Sequence, residues 1–109
     1  MDPGPGRAFL MVRAVVADPA DRARFDAWYR AEHLPDALRR FGALEGWRWW
    51  SRTEPAVHYA VYAFPDLEAA RRATAPERIA ALVGEFDRVW GDRVARTREL
   101  VEAVDHARP

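Results

Sequence analysis

Residues 25–38 (FDAWYRAEHLPDAL) set a proline inside an amphipathic helical pattern, and no other feature restricts the folding of this chain as much. At about 100° per residue, Phe25, Trp28, Tyr29 and His33 fall in one broad stripe with Glu32 near its middle. Past Pro35 the apolar residues Leu34, Ala37, Leu38 and Phe41 land on roughly the opposite side of the same wheel. One straight helix cannot bury both stripes. The proline ring disfavours helical geometry at Leu34, and Pro35 needs no donor of its own at the start of a new segment. The spacing therefore predicts a helix, a break at His33-Leu34, and a short second helix stopped by Gly42. His33 then stands at a helix C-terminus, its proton affinity open to the terminal carbonyls and to Glu32.

Around this stretch the chain divides cleanly. Residues 1–7 are rich in Pro and Gly and read as a disordered tail, leaving one domain over 8–104 and a short tail at 105–109. Residues 8–17 are apolar on both alternating sets, so the strand they form needs cover on both faces; Arg13 is the exception. Asp18-Pro19 reads as an N-cap and first helical residue, with Asp21 adding negative charge to the first turn. Residues 43–52 carry Trp47, Trp49 and Trp50 on both faces of a strand, and residues 57–64 resume one after the turn at 53–56, which makes an antiparallel hairpin. Asp66 caps a further helix that Thr74-Ala75-Pro76-Glu77 restarts as a capping box; Ile79, Leu82, Val83, Phe86 and Trp90 form its apolar stripe, and Gly91 ends it. Residues 92–104 permit a helix, but Val94, Arg96, Arg98, Leu100, Glu102 and Val104 alternate weakly, and an edge strand is the expectation.

Composition removes several classes of function. The formal net charge is zero, which gives no general attraction to nucleic acid or to an anionic membrane surface. There is no cysteine, hence no disulfide, thiolate metal site or thiol nucleophile. No apolar run approaches membrane length and no signal peptide is visible at the N-terminus, so a cytoplasmic protein is expected. All 17 basic residues are arginine, a residue better suited than lysine to carboxylate forks and aromatic stacks.

The order strand, broken helix, strand, strand, broken helix, strand is the split βαβ, or ferredoxin-like βαββαβ, arrangement: an α+β fold with a four-stranded antiparallel sheet and helices on one face. Two helical layers cannot cover both faces of that sheet, so a homodimer packed sheet against sheet is expected. With Trp28-Tyr29-Arg30-Ala31-Glu32-His33-Leu34-Pro35 placed between the first strand and an aromatic second one, the chain resembles the dimeric α+β barrel superfamily, and most closely its EthD-like branch. The resemblance implies a barrel-forming dimer with a pocket between sheet and helices, in a superfamily that includes cofactor-free monooxygenases, cyclases, isomerases and haem-degrading enzymes.

His33 is the leading candidate for a general base, with His58 or a tyrosine assisting; the competing reading of His33 is a helix cap, and of His58 a satisfied core residue. Trp28, Tyr29, Glu32, Tyr62 and Arg13 are the candidate substrate contacts, with an ion pair across the dimer the favoured alternative for Arg13. Glu32, His33 and His58 contain no close two-histidine motif, so no metal is expected, and no cofactor. The functional expectation is a small hydrophobic or aromatic ligand, acted on by cofactor-independent proton transfer, cyclisation, isomerisation or oxygenation. The alternative is a non-catalytic dimeric binding or accessory module with structural histidines. Residues 58–64 faintly resemble the aromatic strand of an RNA-recognition motif, but they lack its basic residue and glycine.

Overall fold

A computed structural model describes residues 6–109. Four antiparallel strands form one sheet in the order β2-β3-β1-β4: β1 (Ala8–Val16), β2 (Glu45–Trp50), β3 (Val57–Phe64) and β4 (Val94–Glu102). β1 and β3 are the two central strands, and both are apolar on both faces. In β1, Ala8, Leu10, Val12, Ala14 and Val16 are buried beneath the helices, and by strand alternation Phe9, Met11, Arg13 and Val15 face the other way. β4 is an edge strand, as the weak alternation of its sequence predicts, and charge dominates its exposed positions. The ferredoxin-like order and the one-sided helical layer are those expected from the sequence.

The helices are α1 (Pro19–Trp28), α2 (Leu34–Phe41), α3 (Leu67–Ala73) and α4 (Pro76–Trp90). Local chemistry sets most of their ends. The Asp18 carboxylate accepts from the Ala20 amide at 2.9 Å, and Asp66 accepts from the Ala69 amide at 2.8 Å. Gly42 ends α2 in the left-handed region at φ 63°. Asp21 does more than load the first turn of α1: it is buried and paired with Arg93, which ties α1 to the approach to β4.

Two boundaries differ from expectation. There is no break at His33-Leu34. Both residues remain helical, and α1 passes into α2 through a wide π-helical turn at Tyr29–His33, in which the Leu34 amide donates to the Tyr29 carbonyl five residues back. One extra residue in the turn rotates everything after it by about 100°, which brings Ala37 into the core and Leu34, Leu38 and Phe41 against it. The wide turn also meets the steric demand of Pro35, whose ring would otherwise press on the carbonyl of Ala31. The second difference is at Thr74. Its hydroxyl does not cap α4 but donates to the Ala70 carbonyl at 2.8 Å, closing α3; Ala75, held extended by Pro76, stands at the start of α4.

Phe25 is fully buried at the centre of the core, with the rings of Trp28, Tyr29, Trp50, His58, Phe86 and Trp90 around it at 5.1–6.3 Å between centroids. The opposite face of the sheet has no helical cover and exposes an apolar groove of ≈ 330 Å³ along Phe9, Met11, Trp47, Trp49, Val61 and Val101. At the termini, the expected tail over 1–7 lies outside the described residues at 1–5. Gly6 and Arg7 pair with Ala103, through bonds of 2.9 Å from the Gly6 amide and 2.7 Å to the Arg7 carbonyl. Residues 103–109 form neither helix nor strand.

Truncating the central ring should be costly. Phe25→Ala is expected to lose about 3–5 kcal/mol, read as a lower urea midpoint with the transition still cooperative; a loss below about 1 kcal/mol would show that the aromatic cluster does not hold the core together.

Candidate functional site

The wide turn, the sheet and α4 enclose a narrow cleft. Tyr29 and His33 enter it from the turn, Tyr62 from β3, Phe86 from α4 and Arg96 from β4, between apolar walls that include Leu10, Val12 and Leu82. Its free volume is ≈ 30 Å³, room for about two waters. An organic ligand therefore enters only with side-chain movement at the rim, where Ile79 and Arg98 border an adjoining groove of ≈ 320 Å³.

The turn geometry places His33. In a regular helix Trp28 and His33, five residues apart, would point about 140° from one another. Here their rings stack at 4.6 Å with 20° between planes. Tyr29 meets the imidazole edge-on at 4.9 Å, and Phe86 at 5.7 Å. His33 is 8% exposed, and its Nδ1 is enclosed with no hydrogen-bond partner. Burial first, and the Arg96 guanidinium second, push the imidazole down to about 4, against the opposing pull of Asp36 and Glu85. At neutral pH it is an uncharged base in an aromatic wall. The same ring also borders an outer polar cleft with Trp28, Glu32, Asp36, Arg40 and Glu85.

His58 has a different setting. It is completely buried on the helix-covered face of β3, and the Nε–H of Arg48 donates to its Nε2 at 3.2 Å. The neutral ring therefore carries its proton on Nδ1, and its one lone pair is already engaged. Burial and the Arg48 charge push it down to about 3. Arg48 is held in turn by Asp26, which also accepts from the Trp50 indole N–H at 2.8 Å and from Arg30 at 3.2 Å. The Trp50 bond, above all, keeps the Asp26 carboxyl below its ordinary value. The Tyr29 ring stands between the two histidines, at 4.9 Å from His33 and 4.8 Å from His58, so they make no direct pair. The buried hydroxyls of Tyr29 and Tyr62 lie 3.5 Å apart, both pushed up by burial, and are neutral donors at any ordinary pH.

No protein-family model matches the sequence, and no curated protein is detectably similar to it. Solved structures are similar in shape. SnoaB, a cofactor-independent oxygenase from Streptomyces nogalater, superposes with a TM-score of 0.63 at 14% identity, over 93% of this chain and 96% of that one. A Bordetella bronchiseptica protein assigned by name to antibiotic biosynthesis monooxygenases gives 0.65 at 17% identity, over 89% and 97% of the two chains. A Deinococcus radiodurans protein assigned to the same group gives 0.65 at 14% identity, over 93% and 97%. The chain shares the ferredoxin-like α+β fold of these proteins. At these identities the likeness concerns the fold, and the EthD-like branch is a finer division than it reaches.

Within this fold the remaining candidates separate. Trp28, Tyr29 and Tyr62 gather with His33, while Glu32 is exposed in the outer cleft. Arg13 is set apart from the pocket: alternation along β1 puts it on the open sheet face, where it pairs with Glu54 at 3.5 Å. Arg96 is the lining residue that sequence reasoning did not single out. Its signal was present, since it shares the inward phase of β4 with the buried Val94. Among the described residues no cluster of three or more His, Asp or Glu side chains has metal-binding geometry, and no helix is long and apolar enough to cross a membrane.

The depressed histidines make stability pH-dependent. The unfolded chain binds a proton at each imidazole below about 6.5, whereas the folded chain does so only near 4 and near 3. Unfolding takes up protons over that window, so their contribution is complete above pH 6.5 and is lost as the pH falls toward 4. Urea denaturation should show stability falling between pH 6.5 and 4, with a shallower slope in His33→Gln. An unchanged slope would show that His33 is not held neutral by the fold.

Proposed function

We propose that this protein is a cofactor-independent enzyme of the oxygenase type, with His33 as general base toward a small aromatic carbon acid bound between sheet and helices. The observation that carries this reading is the enclosed, uncharged His33 with an unpartnered Nδ1, in one cleft with two tyrosine hydroxyls and a guanidinium. An imidazole of that kind accepts a proton from an activated ring carbon, and the neutral hydroxyls donate to the oxygen on which negative charge develops. An electron-rich carbanion reacts with dioxygen directly, so no flavin or metal is required. That outcome is preferred over isomerisation or cyclisation because SnoaB, a cofactor-independent oxygenase, has the same fold. The π turn supports the assignment, since such turns concentrate at functional sites. His58, its lone pair engaged by Arg48, acts as a positioning residue behind Tyr29 rather than as a second base.

Oxygen uptake with anthrone as the test carbon acid checks this reading. His33→Gln is expected to lower the rate by about 10² or more with the far-UV spectrum intact. Turnover unchanged in that variant would remove His33 from the mechanism and favour the binding-module alternative.

We also infer that a second copy of the chain covers the open sheet face. The face is apolar through Phe9, Met11, Trp47, Trp49, Val61 and Val101, and it carries both signs of charge in Arg7, Arg13, Glu45 and Glu54. A chain of zero net charge does not repel its copy. Light scattering during gel filtration should give a dimer, and Trp49→Glu, which buries a charge at the interface, should give a monomer; a wild-type monomer would sink the inference.

A further inference from the structure

Arg96 is a guanidinium taken out of water without an adequate partner. It projects from the inner face of β4, opposite Ala14 of β1, and lies over the Phe86 ring at 3.9 Å from its centroid. Its side chain is 14% exposed, and its Nη1 is enclosed with no hydrogen-bond acceptor. The nearest carboxylate, Asp87, is mostly solvated and stands 3.6 Å away, beyond hydrogen-bond distance. Arg98 follows on the same face of the strand, at the junction between the inner cleft and the ≈ 320 Å³ groove, and no carboxylate among the described residues forms an ion pair with it. Two arginines at one apolar cleft, one of them partly buried with an enclosed and unsatisfied donor, suit an anionic group.

We propose that the cleft takes a ligand with an aromatic body and a carboxylate, the carboxylate seated on Arg96 with Arg98 at the entrance and the ring lying toward Phe86 and His33. The inner cleft and the adjoining groove share Leu10, Ile79 and Arg98, so movement at that rim joins them into one space of organic-ligand size. Binding has a consequence for the base. Arg96 is the cation that pushes His33 down, while Asp36 of α2 and Glu85 of α4 act in the opposite sense, and Glu32 and Arg40 border the outer side of the ring. A carboxylate on Arg96 offsets that cation, and His33 becomes the stronger base once the ligand is present. This inference rests on the cleft being the ligand site, and not on turnover.

The test compares 1-naphthoate with the uncharged 1-naphthamide by calorimetric titration of the full chain. Naphthoate is expected to bind at least about tenfold more tightly, a difference of about 1.4 kcal/mol. Arg96→Gln should abolish the preference and Arg98→Gln should weaken it. Proton uptake on naphthoate binding at about pH 5, just above the value to which the fold pushes His33, read from titrations in buffers of different ionisation enthalpy, should disappear in His33→Gln while naphthoate still binds. In the wild-type chain the Arg96 side-chain resonances should shift with naphthoate, a readout that needs no folded variant. Equal affinity for the two probes, binding of neither, unmoved Arg96 resonances, or an undiminished preference in Arg96→Gln would overturn the proposal. A base role for His33 fails separately, through anthrone turnover.

Discussion

The wide turn at Tyr29–His33 is the constraint on which the rest of the arrangement depends. A proline at position 35 cannot donate to Ala31, and its ring crowds the preceding turn. The chain accommodates it without leaving the helix, by closing one turn over five residues instead of four. Two results follow from that single insertion. The apolar side of α2 rotates back toward the sheet, where Leu38 and Leu34 come close enough to β2 that only glycine fits at Gly46 without displacing them. Trp28 and His33 are brought into a stack that a regular helix forbids. The helix-covered core and the cleft thus share one local cause.

Around the turn, the fold disposes of its buried polar groups in two contrasting ways. On one side Asp26, Arg48, Trp50 and His58 form a connected set in which the carboxylate has three donors and the His58 lone pair is engaged. Such a network rigidifies the ends of β2 and β3 and leaves little capacity for chemistry. On the other side His33 Nδ1 and Arg96 Nη1 are enclosed and unsatisfied, with the tyrosine hydroxyls beside them. Desolvation without partners costs free energy and leaves hydrogen-bonding capacity unused on that side. Both histidines keep an enclosed Nδ1 without a partner and both are pushed well below their ordinary range by the same desolvation; they differ in that Arg48 engages the remaining nitrogen of His58, while among the described residues no donor engages His33.

How much of this is legible in the sequence depends on how far apart the determining groups lie. Asp18, Asp66, Gly42 and Gly91 act on backbone groups a few residues away, and each ends or begins a helix as its residue type dictates. The span of β3 follows from alternation between a turn and a proline. Thr74 is where a local rule misleads: its position three residues before Glu77 fits a capping box, yet Pro76 holds Ala75 extended and leaves the hydroxyl to close α3 instead. Pro35 misleads for a related reason, because the preference of Leu34 against helix is modest and the burial of Ala37, Leu38 and Phe41 outweighs it.

By itself the sequence determined the element order, the ferredoxin-like class and the one-sided helical cover, because periodicity, caps and turns are interactions over a few residues. The tertiary structure alone decided which ionisable groups meet. Arg48 reaches His58 across the β2–β3 pair, Asp26 reaches both Arg48 and Trp50 from α1, and Arg96 arrives beside Phe86 from the far edge of the sheet. Proton affinities in a dry interior depend on those neighbours and on exclusion of water, and neither is written in residue spacing.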